Sequence, residues 1–132
     1  MKSILILLLA LSVRPLHHRS DLESQLLGAW KFSAMDSQDK RCFIYKKVAD
    51  LSGDYFGYQI LPNGKLIVKQ STSWCPVGET KITYEVVEGN WQLIHDTILE
   101  FTHQRYGEPL IDRRIIKNVD AKTVVLKHPR KY

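Results

Sequence analysis

Leu26-Leu27-Gly28-Ala29-Trp30-Lys31-Phe32 is the stretch on which the reading of this chain turns. It is a short apolar run carrying Gly-x-Trp, partly echoed at Val87-Glu88-Gly89-Asn90-Trp91-Gln92-Leu93. Just upstream, Ser20-Asp21-Leu22-Glu23 matches a capping box, with Ser20 as the cap and Glu23 reaching back to it. The pattern predicts a helical turn over 21–25, ended by Gly28, which admits close backbone approach where the chain enters its first strand. Both Gly-x-Trp segments are read as aromatic anchors of one small antiparallel β-domain.

Strands are predicted over 29–33, 41–48, 55–61, 65–70, 80–94, 97–103, 110–119 and 123–128, each rich in β-branched and aromatic residues and bounded by turn residues. Pro62-Asn63-Gly64 is a strong hairpin signal, because Asn-Gly takes positive φ at both central positions of a type I′ turn. His95-Asp96 and 120–122 are read as turns, 106–109 as a loop. Ile82, Tyr84 and Val86 alternate against Lys81, Thr83 and Glu85. Trp91 and Leu93 continue the apolar set at the opposite parity, so a β-bulge is expected at Glu88-Gly89. Short strands with hairpin-length connections argue for an all-β antiparallel meander. Closing it into an up-and-down barrel removes exposed edges, although a sandwich satisfies the same spacing.

Composition sets the class. The chain has 132 residues and a formal net charge of +5, enough for one domain with a real core and too modest a charge for a nucleic-acid signature. Lys2, the apolar run from Ile4 to Leu11 and the small residues of Ala10-Leu11-Ser12 read as a signal peptide. That run is too short to span a bilayer as a helix. Residues 1–18 are therefore assigned to a leader and connector and 19–132 to the barrel domain, with export to the periplasm or the extracellular space. In an oxidising compartment Cys42 and Cys75 are a candidate disulfide, worth roughly 3–4 kcal/mol by loop-closure entropy. The alternative is two buried free thiols. No cysteine or histidine spacing suggests a metal site, and His17-His18 lacks converging ligands.

Taken together, a helical turn entering Leu27-Gly28-Ala29-Trp30 and the following run of strands resemble the lipocalin (calycin) superfamily. The similarity is narrower to short lipocalin-like domains of exported Bacteroidetes-type proteins. It is carried by Tyr58-Gln59-Ile60-Leu61-Pro62-Asn63-Gly64-Lys65-Leu66, by Gly89-Asn90-Trp91-Gln92-Leu93 with Asp96-Thr97-Ile98-Leu99-Glu100, and by Ile116-Lys117-Asn118-Val119 leading to Val124-Val125-Leu126. The resemblance implies an eight-stranded barrel, often with an interior cavity for a small apolar ligand. Two departures stand out: the Thr-Asp-Tyr motif is absent, and no helix-like segment follows the barrel.

Candidate functional residues follow from parity. Taking Leu110 and Ile116 as inward places Asp112 and Arg114 inside together. Arg114 would then hold a ligand carboxylate, pair internally with Asp112, or stack on Trp30 at the barrel floor. Tyr58, Tyr84, Trp91 and Phe101 share that inward parity and either line a pocket or fill the barrel. Gly28 and Trp30 are expected as floor residues. His95-Asp96, His103, Glu100 and Asp112 form no recognised catalytic motif, and no phosphate-cradling glycine loop is present. The expectation is an exported, non-catalytic protein without cofactor, binding a small hydrophobic or amphipathic molecule. The alternative is an interaction domain with a filled barrel.

Overall fold

The computed structural model describes residues 16–72 and 82–130. Among these are one α-helix, α1 (Leu16–Leu26), a 3-10 turn at Pro62–Gly64, and eight strands: β1 (Gly28–Met35), β2 (Cys42–Val48), β3 (Gly57–Ile60), β4 (Lys65–Ser71), β5 (Tyr84–Ile94), β6 (Ile98–Arg105), β7 (Glu108–Val119) and β8 (Thr123–Lys127). All neighbours pair antiparallel and the sheet closes on itself, giving the expected eight-stranded up-and-down barrel. The order around it is β1-β2-β8-β7-β6-β5-β4-β3. Thus β1 lies between β2 and β3, and the 49–56 connection crosses the outer side of β1 to reach β3.

That crossing is anchored by polar contacts. Lys69 Nζ donates to the carbonyls of Leu51, at 2.6 Å, and of Gly53. Tyr55 Oη donates to the Asp50 carbonyl at 2.6 Å. Leu51 is buried, and beneath the connection Ala29 is buried as well, although its parity faces outward.

Turn chemistry follows the sequence closely. Asn63 (φ 63°) and Gly64 (φ 74°) close the β3–β4 hairpin, and His95 (φ 54°) and Asp96 (φ 59°) close β5–β6. The expected 106–109 loop is tighter: Tyr106 and Gly107 alone connect β6 to β7, and Glu108 and Pro109 already pair with Arg105 and Gln104. At 120–122 the Asp120 carboxylate accepts from the Lys122 and Thr123 N–H groups.

Two local expectations are corrected. The helix begins at Leu16, so Ser20-Asp21-Leu22-Glu23 lies inside it rather than capping it. Its Leu22 and Leu26, with Leu27 just after its end, pack against the barrel core. There is also no bulge at Glu88-Gly89. The β4–β5 register runs unbroken from Lys65↔Asn90 to Ser71↔Tyr84, and the irregularities fall instead in β1 (Phe32/Ala34) and β7 (Ile116/Asn118). Gly89 permits close approach of strands: a Cβ there would lie 2.2 Å from the Thr102 carbonyl oxygen. With no bulge, Val87, Trp91 and Leu93 share the inner face, while Ile82 and Val86 are exposed on the outer one.

The core fills the helix end of the barrel. Leu26, Trp30, Tyr58, Ile60, Leu66, Leu93, Leu99, Phe101 and Leu126 form one buried cluster. Trp30 is 1% exposed and its indole N–H donates to the Leu26 carbonyl at 2.8 Å. Lys47 Nζ lies 5.1 Å from the Trp30 ring and donates to the Leu27 carbonyl, so Lys47, not Arg114, covers the floor tryptophan. Cys42 is buried, and burial pushes its thiol pKa up. No disulfide is seen at Cys42; Cys75, its expected partner, lies outside the described residues, as do residues 1–15 of the leader and connector expected over 1–18.

At the other end, Asp39 ties the β1–β2 loop to β8. Its carboxylate accepts from Lys127 Nζ at 2.8 Å and from the Arg41 N–H at 3.1 Å, which hold its pKa at about 2. A lowered carboxylate pKa adds stability that is complete above about pH 4 and is lost as pH falls toward about 2. Thermal melts across that acid range should show a shallower fall in Tm for Asp39→Asn than for the parent. Trp30→Ala should cost roughly 3–5 kcal/mol in chemical denaturation, the range for a large buried aromatic.

Candidate ligand pocket at the open end of the barrel

A pocket of about 490 Å³ opens opposite the helix, walled by Phe32, Phe43, Tyr45, Phe56, Leu110, Asp112, Arg114 and His128, with Arg105 at its rim. This volume lies within the range of small-molecule sites, which are mostly apolar with a few placed polar groups. Alternation builds it: Phe32 on β1 pairs across from Tyr45 on β2, and Phe43 on β2 pairs across from Leu126 on β8. The rings meet edge to face, Phe32 with Phe43 at 5.7 Å and with Tyr45 at 5.8 Å, and Phe43 with His128 at 4.7 Å between centroids.

Asp112 and Arg114, two residues apart on β7, point into this pocket together. Arg114 Nε and Nη2 donate to the two Asp112 carboxylate oxygens, each at 2.8 Å. The guanidinium also lies 5.3 Å from the Phe43 ring. Arg114 is only 7% exposed. Burial opposes its charge, but the Asp112 hydrogen bonds and the nearby tyrosines outweigh burial and raise its pKa. Tyr45 is pushed up to about 12, chiefly by burial, and Tyr58 is raised well above its ordinary value for the same reason. His128 is lowered by burial and then by Arg114, which favours neutral imidazole. Two buried polar atoms, Tyr45 Oη and Arg114 Nη1, have no hydrogen-bond partner among the described residues.

The pocket wall is notched. β7 pairs with β8 only from Ile115 to Val119, so its stretch from Glu108 to Arg114 has β6 as its sole strand neighbour among the described residues. After β8 the chain turns aside, and the His128 N–H donates to the Arg41 carbonyl at 2.9 Å. A second void of about 630 Å³ lies on the outer side, walled by Ile98, Ile111, Arg113, Ile115, Pro129 and Arg130. Asp112, Arg114 and His128 border both voids.

The candidates named from sequence are distributed as follows. Arg114 lines the pocket. Tyr58 and Phe101 stack at 4.4 Å within the core, and Tyr58 touches the pocket residues Tyr45 and Phe56. Trp91 is buried at the helix end and donates to the Leu61 carbonyl at 2.7 Å. Tyr84 shares the parity of exposed Val86 and so belongs to the outer face. Phe32, Phe43, Tyr45, Phe56 and His128 were not singled out from sequence, although the alternation Phe43-x-Tyr45 carried the signal for two of them.

Of the candidate acid–base groups, His103 is buried and pairs across from the pocket residue Leu110, at the same end as Asp112, while the remaining three lie elsewhere. Glu100 is outward, bound to Arg113 at 2.7 Å and to Gln92 at 2.8 Å. His95-Asp96 occupies a turn at the opposite end. Among the described residues no three His, Cys, Asp or Glu side chains gather as a metal ion would need. Comparison with protein-family models, with curated proteins and with solved structures found no match to this chain.

Breaking the Asp112–Arg114 pair one side at a time should be costly. Arg114→Met or Asp112→Leu should each destabilise by roughly 3–5 kcal/mol, because a buried charge loses its partner. The double variant should recover most of that loss in urea unfolding.

Proposed function

We propose that this chain is an exported, lipocalin-like, non-catalytic binding protein that takes a small amphipathic molecule into the open end of its barrel. The observation that carries this reading is the pocket itself: an aromatic wall enclosing two buried polar atoms that no described residue satisfies. Buried polar atoms are normally hydrogen-bonded, so a site holding two free ones suits an incoming group. Apolar burial against Phe32, Phe43 and Phe56 supplies the driving force, and the polar atoms set orientation. Export rests on the leader read from sequence. His95 and Asp96 in a turn at the helix end and outward-facing Glu100 do not converge on Asp112, which supports binding over catalysis, since acid–base chemistry needs converging groups. Among the described residues no helix is long and apolar enough to cross a membrane.

The competing reading, an interaction domain with a filled barrel, draws on the tight Trp30–Tyr58–Phe101 core at the helix end. Occupancy separates the two. Native mass spectrometry after mild purification should show a co-purified small molecule, and an uncharged fluorescent apolar probe should brighten and be displaced by it. An empty protein that leaves the probe unchanged favours the interaction domain.

A further inference from the structure

The pocket's polar end is already charge-balanced. Asp112 takes up two of the guanidinium nitrogens, leaving Nη1 to donate. Tyr45 Oη is the second buried polar atom there without a well-formed hydrogen bond, and Arg114 and Tyr58 both lie close enough to it to act on its ionisation. Arginine has no acceptor, so whatever meets Nη1 must accept. A carboxylate placed there would gain from Arg114 but face the Asp112 charge beside it, and would lose its hydration within aromatic walls. A carbonyl oxygen gives up far less water and has two lone pairs for two donors. The other cation at this pocket, Arg105, is exposed at the rim, where solvent and salt weaken its pull.

We infer that the pocket selects ligands with an apolar, ring-sized body and a neutral carbonyl-type acceptor, which Arg114 Nη1 and Tyr45 Oη bind together, and that it discriminates against carboxylates. This rests on the interior-binding reading above and assigns it a ligand chemistry. Asp112 acts here as a positioning residue: it aims the guanidinium and cancels its charge.

The test is calorimetric titration of the full chain with three matched probes: acetylnaphthalene, naphthoate and ethylnaphthalene, all substituted at the same ring position. Acetylnaphthalene should bind at least about tenfold more tightly than either of the others. Tyr45→Phe removes one free hydroxyl without opening a cavity; it should weaken acetylnaphthalene several-fold and leave ethylnaphthalene unchanged. Asp112→Asn, where it folds, should shift preference toward naphthoate by uncovering the Arg114 charge. Equal binding of the ketone and the hydrocarbon overturns the donor-pair assignment but leaves interior binding standing. Tighter naphthoate binding by the parent protein overturns the charge-balance argument. Failure of all three probes to bind overturns the interior-binding reading itself.

Discussion

Closure at the helix end depends on one indole. A closed barrel has no exposed edges, but its ends still open onto the core, and this chain seals one of them with Trp30. The ring is buried, its N–H occupies the last-turn carbonyl of Leu26, and Lys47 from β2 covers it while donating to Leu27. The helix therefore docks through the same residue that anchors β1. Ile60, Leu66, Leu93 and Leu126 can fill the space behind it because that end is shut. Among the described residues the opposite end has no such plug, and the pocket lies there.

The two ends use charge differently. At the floor, Lys47 sits over an aromatic face with its ammonium partly in water. Inside the pocket, Arg114 is buried and depends on Asp112 for compensation, which the two-residue spacing on one strand supplies without any long-range arrangement. A lone arginine at that depth would carry a large desolvation cost. The paired one presents a hydrogen-bonding surface of nearly zero net charge, bordered on one side by the notch between β7 and the chain after β8.

Much of this was legible in the residues, and the failures have definite causes. The turns at Asn63-Gly64 and His95-Asp96 were readable because positive φ is a local preference, and the shared facing of Asp112 and Arg114 because strand parity is local. β5 misled because Ile82, Tyr84 and Val86 alternate as an inward strand would, yet its pairing with β4 puts that set outside. The capping-box pattern misled because the helix extends upstream to Leu16, which puts Ser20 inside it rather than at its end.

What the sequence determined by itself was the all-β class, the hairpin turns and the inward Arg–Asp pair, each set by interactions within a few residues. The tertiary structure alone decided the rest. It set β1 between β2 and β3 and chose Lys47 over Arg114 as the cover of Trp30. It also packed Tyr58 and Phe101 into the core while leaving Phe32 and Phe43 to line a pocket, with Tyr45 belonging to both. Those outcomes depend on register between segments distant in the chain. A one-residue change of register turns every side chain to the other face, and the local pattern of β5 points to the register the barrel does not adopt.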